Sequence, residues 1–265
     1  MQTRSLPGIG QVDQDQLRQI ANVAAIIVVI VVNALANALP IGGKTTGELS
    51  DQYPVLFTPA GYVFSIWGLI YLSLIGFAVY QALPAQRDNP RLQRVGYMFV
   101  YSCGFNVAWI FAWHYEVVWL SLLLMFGILA TLITIYERIG TGKTPAPSKR
   151  EFWLLRAPFS LYLGWITVAT VANVSVFFYV LGWTGANGSA AWWTVVAIIA
   201  ALAVVSAVVA TRRDAIFTGV FVWAAIGIAV RNWDLLLVAN SALIAVVIAA
   251  AVLGLELLEP PPSEA

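Results

Sequence analysis

The sequence predicts an all-α membrane protein of about eight transmembrane helices. Three observations carry that prediction. Of 265 residues, 60% are hydrophobic and 10% charged, whereas soluble domains carry roughly 25% charged residues. The apolar residues fall in runs of about 20, the length needed to cross hydrocarbon. The basic residues alternate from one side to the other when those runs are read as spans.

The runs lie at about 19–40, 58–83, 95–114, 116–137, 157–182, 191–210, 214–231 and 234–257. Pro84 closes the second, and Arg87-Asp88-Asn89-Pro90 reads as a turn. Gly140 to Ser148, with Pro145 and Pro147, forms a long loop. Gly185 to Ser189 separates spans five and six, and Arg212-Arg213-Asp214 separates six and seven. The tail from Pro260 to Pro262 cannot continue a helix. The boundary at His114-Tyr115-Glu116 has neither Gly nor Pro. One helix over 95–137 would be about 64 Å long at 1.5 Å per residue, about twice the hydrocarbon thickness, so a tight helical hairpin is expected. A signal-peptide core at 20–32, with Ala36-Asn37-Ala38 as the cleavage site, is the rival reading of the start.

With eight spans, twelve basic residues fall on the side of the termini and only Lys44 and Arg231 on the other. The positive-inside rule then places both termini in the cytoplasm, in a bacterial plasma membrane. The net charge of +1, with no basic block, argues against a nucleic-acid partner. One cysteine, Cys103, and one histidine, His114, provide neither a disulfide nor a zinc or bis-histidine haem site. No metal and no required cofactor is expected. No acidic residue lies mid-span: Glu116, Glu137, Asp214 and Asp234 sit at span ends. That pattern argues against a proton-coupled transporter. No Ser-His-Asp set or carboxylate pair is visible, so catalytic residues are assigned to none.

The sequence has 11 tryptophans. Trp153, Trp192, Trp193 and Trp233 fall where interfacial anchors belong. Trp67, Trp109 and Trp165 sit mid-span, where an indole N–H needs a partner. Span two opens Phe57-Thr58-Pro59-Ala60-Gly61-Tyr62 and continues to Phe64, Trp67 and Tyr71. Span three carries Asn106-Val107-Ala108-Trp109, and span five Trp165-x-x-x-Ala169-Thr170-x-x-Asn173, with Pro158 before it. In order and placement these resemble the tryptophan-rich sensory protein (translocator protein) family over about residues 18–183. Two positions depart from the family pattern: its paired prolines are Pro59 followed by Ala60, and a tryptophan expected just after them is Tyr62.

Periodicity puts Trp165, Ala169 and Asn173 on one face, and Phe105, Trp109 and Trp113 on another. Phe64, Trp67 and Tyr71 share a third. Together with Asn106 they outline an aromatic-walled space between spans one, two, three and five. That space suits a planar ligand, though such faces also pack simply on one another. Asn33 and Asn37, one turn apart, and Asn106, Asn173 and Asn240 are expected to bond within the protein. The run Gly42-Gly43-Lys44-Thr45 fails the phosphate-loop spacing.

The resemblance implies a ligand-binding membrane protein whose first loop, with Lys44, Pro54, Phe57 and Pro59, lies over the pocket. The implied ligand is a tetrapyrrole (porphyrin or haem), with a sterol as another family theme, and the implied role is sensor or carrier. A porphyrin-modifying enzyme and an assembly subunit of a larger complex are the alternatives, and a homodimer is a further expected partner state. The expected organisation is a cytoplasmic tail over 1–18 and a five-helix unit over 19–183. Three added helices over 184–258 and a cytoplasmic Pro-rich tail over 259–265 complete it. On span six Ala200, Ala203, Ala207 and Ala210 share a face, and Gly219 and Gly227 flank Trp223 on span seven, as close helix contact would require.

Overall fold

The computed structural model describes residues 14–39, 41–144, 146–183 and 189–258. Most of the N-terminal tail, Pro40, Pro145, residues 184–188 and the Pro-rich tail lie outside the described residues. Helices occur at all eight expected positions: α1 (Gln14–Ala38), α3 (Gly61–Ala82), α5 (Met98–His114), α6 (Val118–Arg138), α7 (Lys149–Val180), α8 (Ser189–Arg212), α9 (Ala215–Arg231) and α10 (Leu236–Leu258). Two short helices, α2 (Thr46–Gln52) and α4 (Pro90–Val95), sit in loops. Six of the long helices are apolar and long enough to cross a membrane, while α5 and α9, at 17 residues each, are shorter. The protein is an all-α integral membrane protein.

Local chemistry sets the breaks. The hairpin between α5 and α6 turns at Glu116, a non-glycine residue with φ of 56°. A left-handed residue stops both helices there without Gly or Pro. The second loop differs from expectation. Asn89 caps and Pro90 starts α4, and Gly96 at φ 56° ends it, so the third span begins at Met98. The fifth span also starts early, at Lys149, through a π-helical turn over Phe152–Arg156. Pro158 explains the turn: it has no N–H, and its ring crowds the carbonyl four residues back. A wider turn there accommodates the ring.

Buried amides fasten α1, α5 and α7. Asn33 Nδ2 donates to Asn106 Oδ1 at 2.8 Å, and Asn106 Nδ2 donates to the Tyr162 hydroxyl at 3.2 Å. Nearer the other end, Gln19 and Gln81 each donate an amide N–H to the other's backbone carbonyl. Asn173 Oδ1 accepts from Ser121 on α6 at 3.1 Å. Asn240 departs from the pattern. It is exposed near the start of α10.

The last three helices dock onto α7 and the entry of α3. Asp214 is buried at the N-terminus of α9 and accepts from the backbone N–H groups of Ile216 and Phe217. It also accepts from Tyr136 at 2.7 Å and Ser160 at 2.6 Å, which joins α6, α7 and α9. A carboxylate at a helix N-terminus is favoured by the helix dipole as well. At the other end of α9, Trp223 donates to Val63 O, Ala60 N–H donates to Gly227 O, and Asn232 donates to Leu56 O. Arg231 pairs with Asp51 of α2.

The small-residue expectations divide. Gly227 is a true close contact: a Cβ there would meet Val63 Cγ2 at 2.2 Å, whereas Gly219 has open space. On α8 the alanines at 200, 203, 207 and 210 are exposed, and the buried face is Thr194, Ile198, Ala201, Val205 and Val209. Both faces are apolar, so composition did not distinguish them.

This geometry sets an expectation for stability. Gly227→Leu should cost roughly 1–3 kcal/mol or more through overpacking, while Gly219→Leu should stay within about 0.5 kcal/mol. Thermal unfolding of both variants in detergent checks this; equal melting temperatures would contradict the docking described.

Candidate ligand-binding cavity

Between the loop over residues 41–60 and helices α3, α5, α6 and α7 lies a narrow cavity. Phe64 and Trp67 of α3, Asn106, Trp109 and Trp113 of α5, and Trp165, Ala169 and Asn173 of α7 all line it. These are eight of the ten residues that the sequence grouped. Of the other two, Tyr71 does not line it. Its ring stacks on Trp67 at 5.4 Å and stands behind that indole. Phe105 is also elsewhere, half-exposed with its ring laid over Gly127 of α6.

Two aromatic groups form the walls. In one, Trp67 and Phe64 meet Trp165 edge to face at 6.2 and 5.8 Å. In the other, Trp109 and Trp113 stack at 5.9 Å with planes 15° apart, and Tyr53 leans on Trp113 at 5.8 Å. Rings held this way present both faces and edges to anything between them. The free space is small, about 60 Å³ for water centres, enough for a few waters.

Span one does not reach the cavity. Asn33 acts through Asn106, whose side chain it holds. Span four does reach it, through Met125 and Ile128. Aliphatic residues in an apolar helix carry no signature that separates pocket from core, so the sequence could not show them.

The loop supplies Thr46, Ser50, Thr58 and Pro59 to the cavity. Of the other expected loop residues, Lys44 pairs with Glu116 at 3.8 Å, Phe57 is buried in the core, and Pro54 lines a different cavity. The loop contains a short helix, α2. Its signal was present in the sequence: Thr45 and Glu48 form a capping box, each side chain satisfying the other's backbone N–H. Trp113 Nε1 donates to Thr46 O at 3.3 Å and ties the loop to α5. Tyr53 packs on both Trp113 and Tyr179, and burial, then the nearby Glu116 carboxylate, push its phenol up.

The polar inventory of the cavity is unusual. Trp109 Nε1, Trp165 Nε1, and the hydroxyls of Thr46 and Thr58 are buried and have no hydrogen-bond partner among the described residues. Trp165 is 2% exposed and Trp109 7%. Buried donors left unpaired cost about 1–3 kcal/mol each. Four of them around one void make a surface suited to a ligand carrying acceptors. None of the lining residues is ionisable. The cavity can therefore stack and donate hydrogen bonds, and its walls hold no group that would exchange a proton near neutrality.

An all-helical membrane protein with a tryptophan-walled internal cavity is the class that fold and site define. A family model described as TSPO-like protein matches residues 19–255, and the chain belongs to that family. The match runs through α8, α9 and most of α10, beyond the 18–183 region that carries the sequence resemblance. Among curated proteins and among solved structures, nothing matches.

The loop helix carries its own test. Glu48 is held below the usual carboxylate range, chiefly by the Thr45 backbone N–H and then by its hydroxyl. A lowered carboxyl contributes stability above about pH 4, and loses it as pH falls through its lowered value. Hydrogen-exchange protection factors over 46–52 should be flat from about pH 7 to 5 and fall below about pH 4. Thr45→Ala should lower them at every pH by a factor corresponding to about 1 kcal/mol. Full protection in that variant would show that the cap does not hold the helix.

Proposed function

We propose that this protein binds a planar, largely apolar ligand with hydrogen-bond acceptors, a tetrapyrrole such as a porphyrin or haem, and acts as its sensor or carrier. The observation that supports this most is the convergence of unpaired Trp109 and Trp165 N–H donors on a cavity walled by rings. Stacking on the indoles supplies attraction, and the donors fix the orientation of the ligand's acceptor groups. The eight helices are read as eight crossings with both termini on the basic, cytoplasmic side, so the 41–60 loop faces outward.

The free space is too small for a tetrapyrrole with the loop as it stands. Binding therefore requires the α2 part of the loop to move outward, with Thr46 and Ser50 leaving the ligand's path while Thr58 and Pro59 stay held against α9. The capping box lets α2 move as one piece, because its helical hydrogen bonds are satisfied internally. A loop that closes over the bound rings would exclude water from the indole donors and strengthen their bonds.

Titration of the protein in nanodiscs with protoporphyrin or haem should quench tryptophan fluorescence saturably at about one ligand per chain. Trp109→Phe and Trp165→Phe each remove one donor and keep most of the ring, and should weaken binding about 5- to 10-fold, the factor for a hydrogen bond worth about 1 kcal/mol. Ala169→Trp should fill the cavity and abolish binding while the melting temperature is kept. Linear, unsaturable quenching, or binding unchanged in Ala169→Trp, would count against this site.

A further inference from the structure

A second cavity, larger than the first, lies on the opposite face of α7. Its volume is about 500 Å³. Thr170, Val171 and Val174 wall it from α7, and Trp193, Ala197 and Ala200 from α8. The segment Pro54–Leu56 closes part of it. Helix α8 is pinned to the rest of the bundle at its other end, where Arg212 reaches Thr141 O and Glu137. Near its start it stands off from α7, and the space between them is a slot. The lining runs from Thr170 to Tyr179 on one wall and from Ala190 to Ala200 on the other, about 15 Å along each helix.

The two cavities differ in chemistry. In the slot the threonine and serine hydroxyls are already used, and the remaining polar groups, the Tyr179 hydroxyl and the Trp183 and Trp193 indoles, lie toward its aromatic end. Thr170 Oγ1 donates to Ile166 O, Ser175 Oγ to Val171 O, and Thr194 Oγ1 to Ala190 O, at 2.7–2.8 Å. No charged residue lines it. Away from that end an occupant is therefore asked for shape and apolar surface alone. A chain of aromatic rings bridges the two helices: Phe178 meets Trp183 at 5.1 Å, and Trp183 meets Trp193 at 5.4 Å. All three are exposed, as rings at a membrane interface are.

We infer that the slot between α7 and α8 is a binding site for one acyl chain of a bilayer lipid, with the lipid's ester region at the Trp183–Trp193 end. An elongated slot, apolar along its length and rimmed by interfacial aromatic rings at one end, matches a flexible hydrocarbon tail below a polar head. A void of this size within the bilayer is filled by whatever hydrocarbon is at hand, and lipid tails are the solvent there. This inference is independent of the tetrapyrrole reading, because it uses the other face of α7 and no residue of the first cavity.

The test is lipid retention by the purified full chain in mild detergent, counted by native mass spectrometry. One phospholipid per chain is expected. Ala197→Phe fills the slot and should reduce retention at least 5-fold. Ala203→Phe, on the exposed face of α8 outside the slot, should leave it unchanged. A second measurement needs no cavity-filling variant. A phosphatidylcholine with bromine on its acyl chain should quench tryptophan emission saturably at one lipid per chain, and Trp193→Phe should remove much of that quenching. Retention equal in Ala197→Phe and wild type, linear quenching without saturation, or retention of a sterol in place of an acyl lipid would each overturn the assignment.

Discussion

Hydrocarbon provides no hydrogen bonds, so a helix bundle in a bilayer must pair its own polar side chains. Most of this chain obeys that constraint closely. Asn33, Asn106 and Tyr162 pass one hydrogen bond to the next across three helices. Gln19 and Gln81 clasp each other's backbones, and Asp214 gathers four donors at the start of α9. Many threonines and serines on the spans return their hydroxyls to their own helices. Buried atoms elsewhere, those of Asn22 and Gln81 Oε1 among them, are also unpaired, but the four around the first cavity share one void. The exceptions include both indoles, Trp109 and Trp165, that a shared void could expose to a ligand.

Much of this was legible in the sequence, for identifiable reasons. Span length and apolarity are coarse properties with a strong physical cause, so all eight helices are where the runs placed them. The aromatic faces were legible because 3.6-residue periodicity fixes which residues look the same way. Periodicity says nothing about depth, however. Tyr71 shares a face with Trp67 yet stacks behind it, and Asn33 shares a network with the cavity yet does not touch it. The face of α8 was misread because its two sides are equally rich in Ala and Val. Helices α2 and α4 were missed although Thr45 with Glu48, and Asn89 with Pro90, are helix-start signals of ordinary form. Composition marks those stretches as loops, whereas caps are matters of spacing.

The two cavities share α7 as a common wall, and their chemistries differ because its two faces do. Toward the first, α7 presents Trp165, Ala169 and Asn173. Toward the second it presents Thr170, Val171 and Val174. The 41–60 loop divides in the same way, with Thr58 and Pro59 on one side and Pro54 to Leu56 on the other. Tyr53 sits between, against Trp113 and Tyr179. A change in the packing of either space is therefore felt by the same short segment.

Helix α9 anchors that segment. Its carbonyl at Gly227 accepts from Ala60, its indole at Trp223 caps Val63, and Asn232 and Arg231 hold Leu56 and Asp51. The start of α3 and the floor of the loop are thus anchored by residues that lie 160 or more positions further along the chain. The five-helix portion borrows its front edge from the rest of the molecule. A chain cut after the fifth helix would keep every ring of the cavity and lose the frame on which its door is hung.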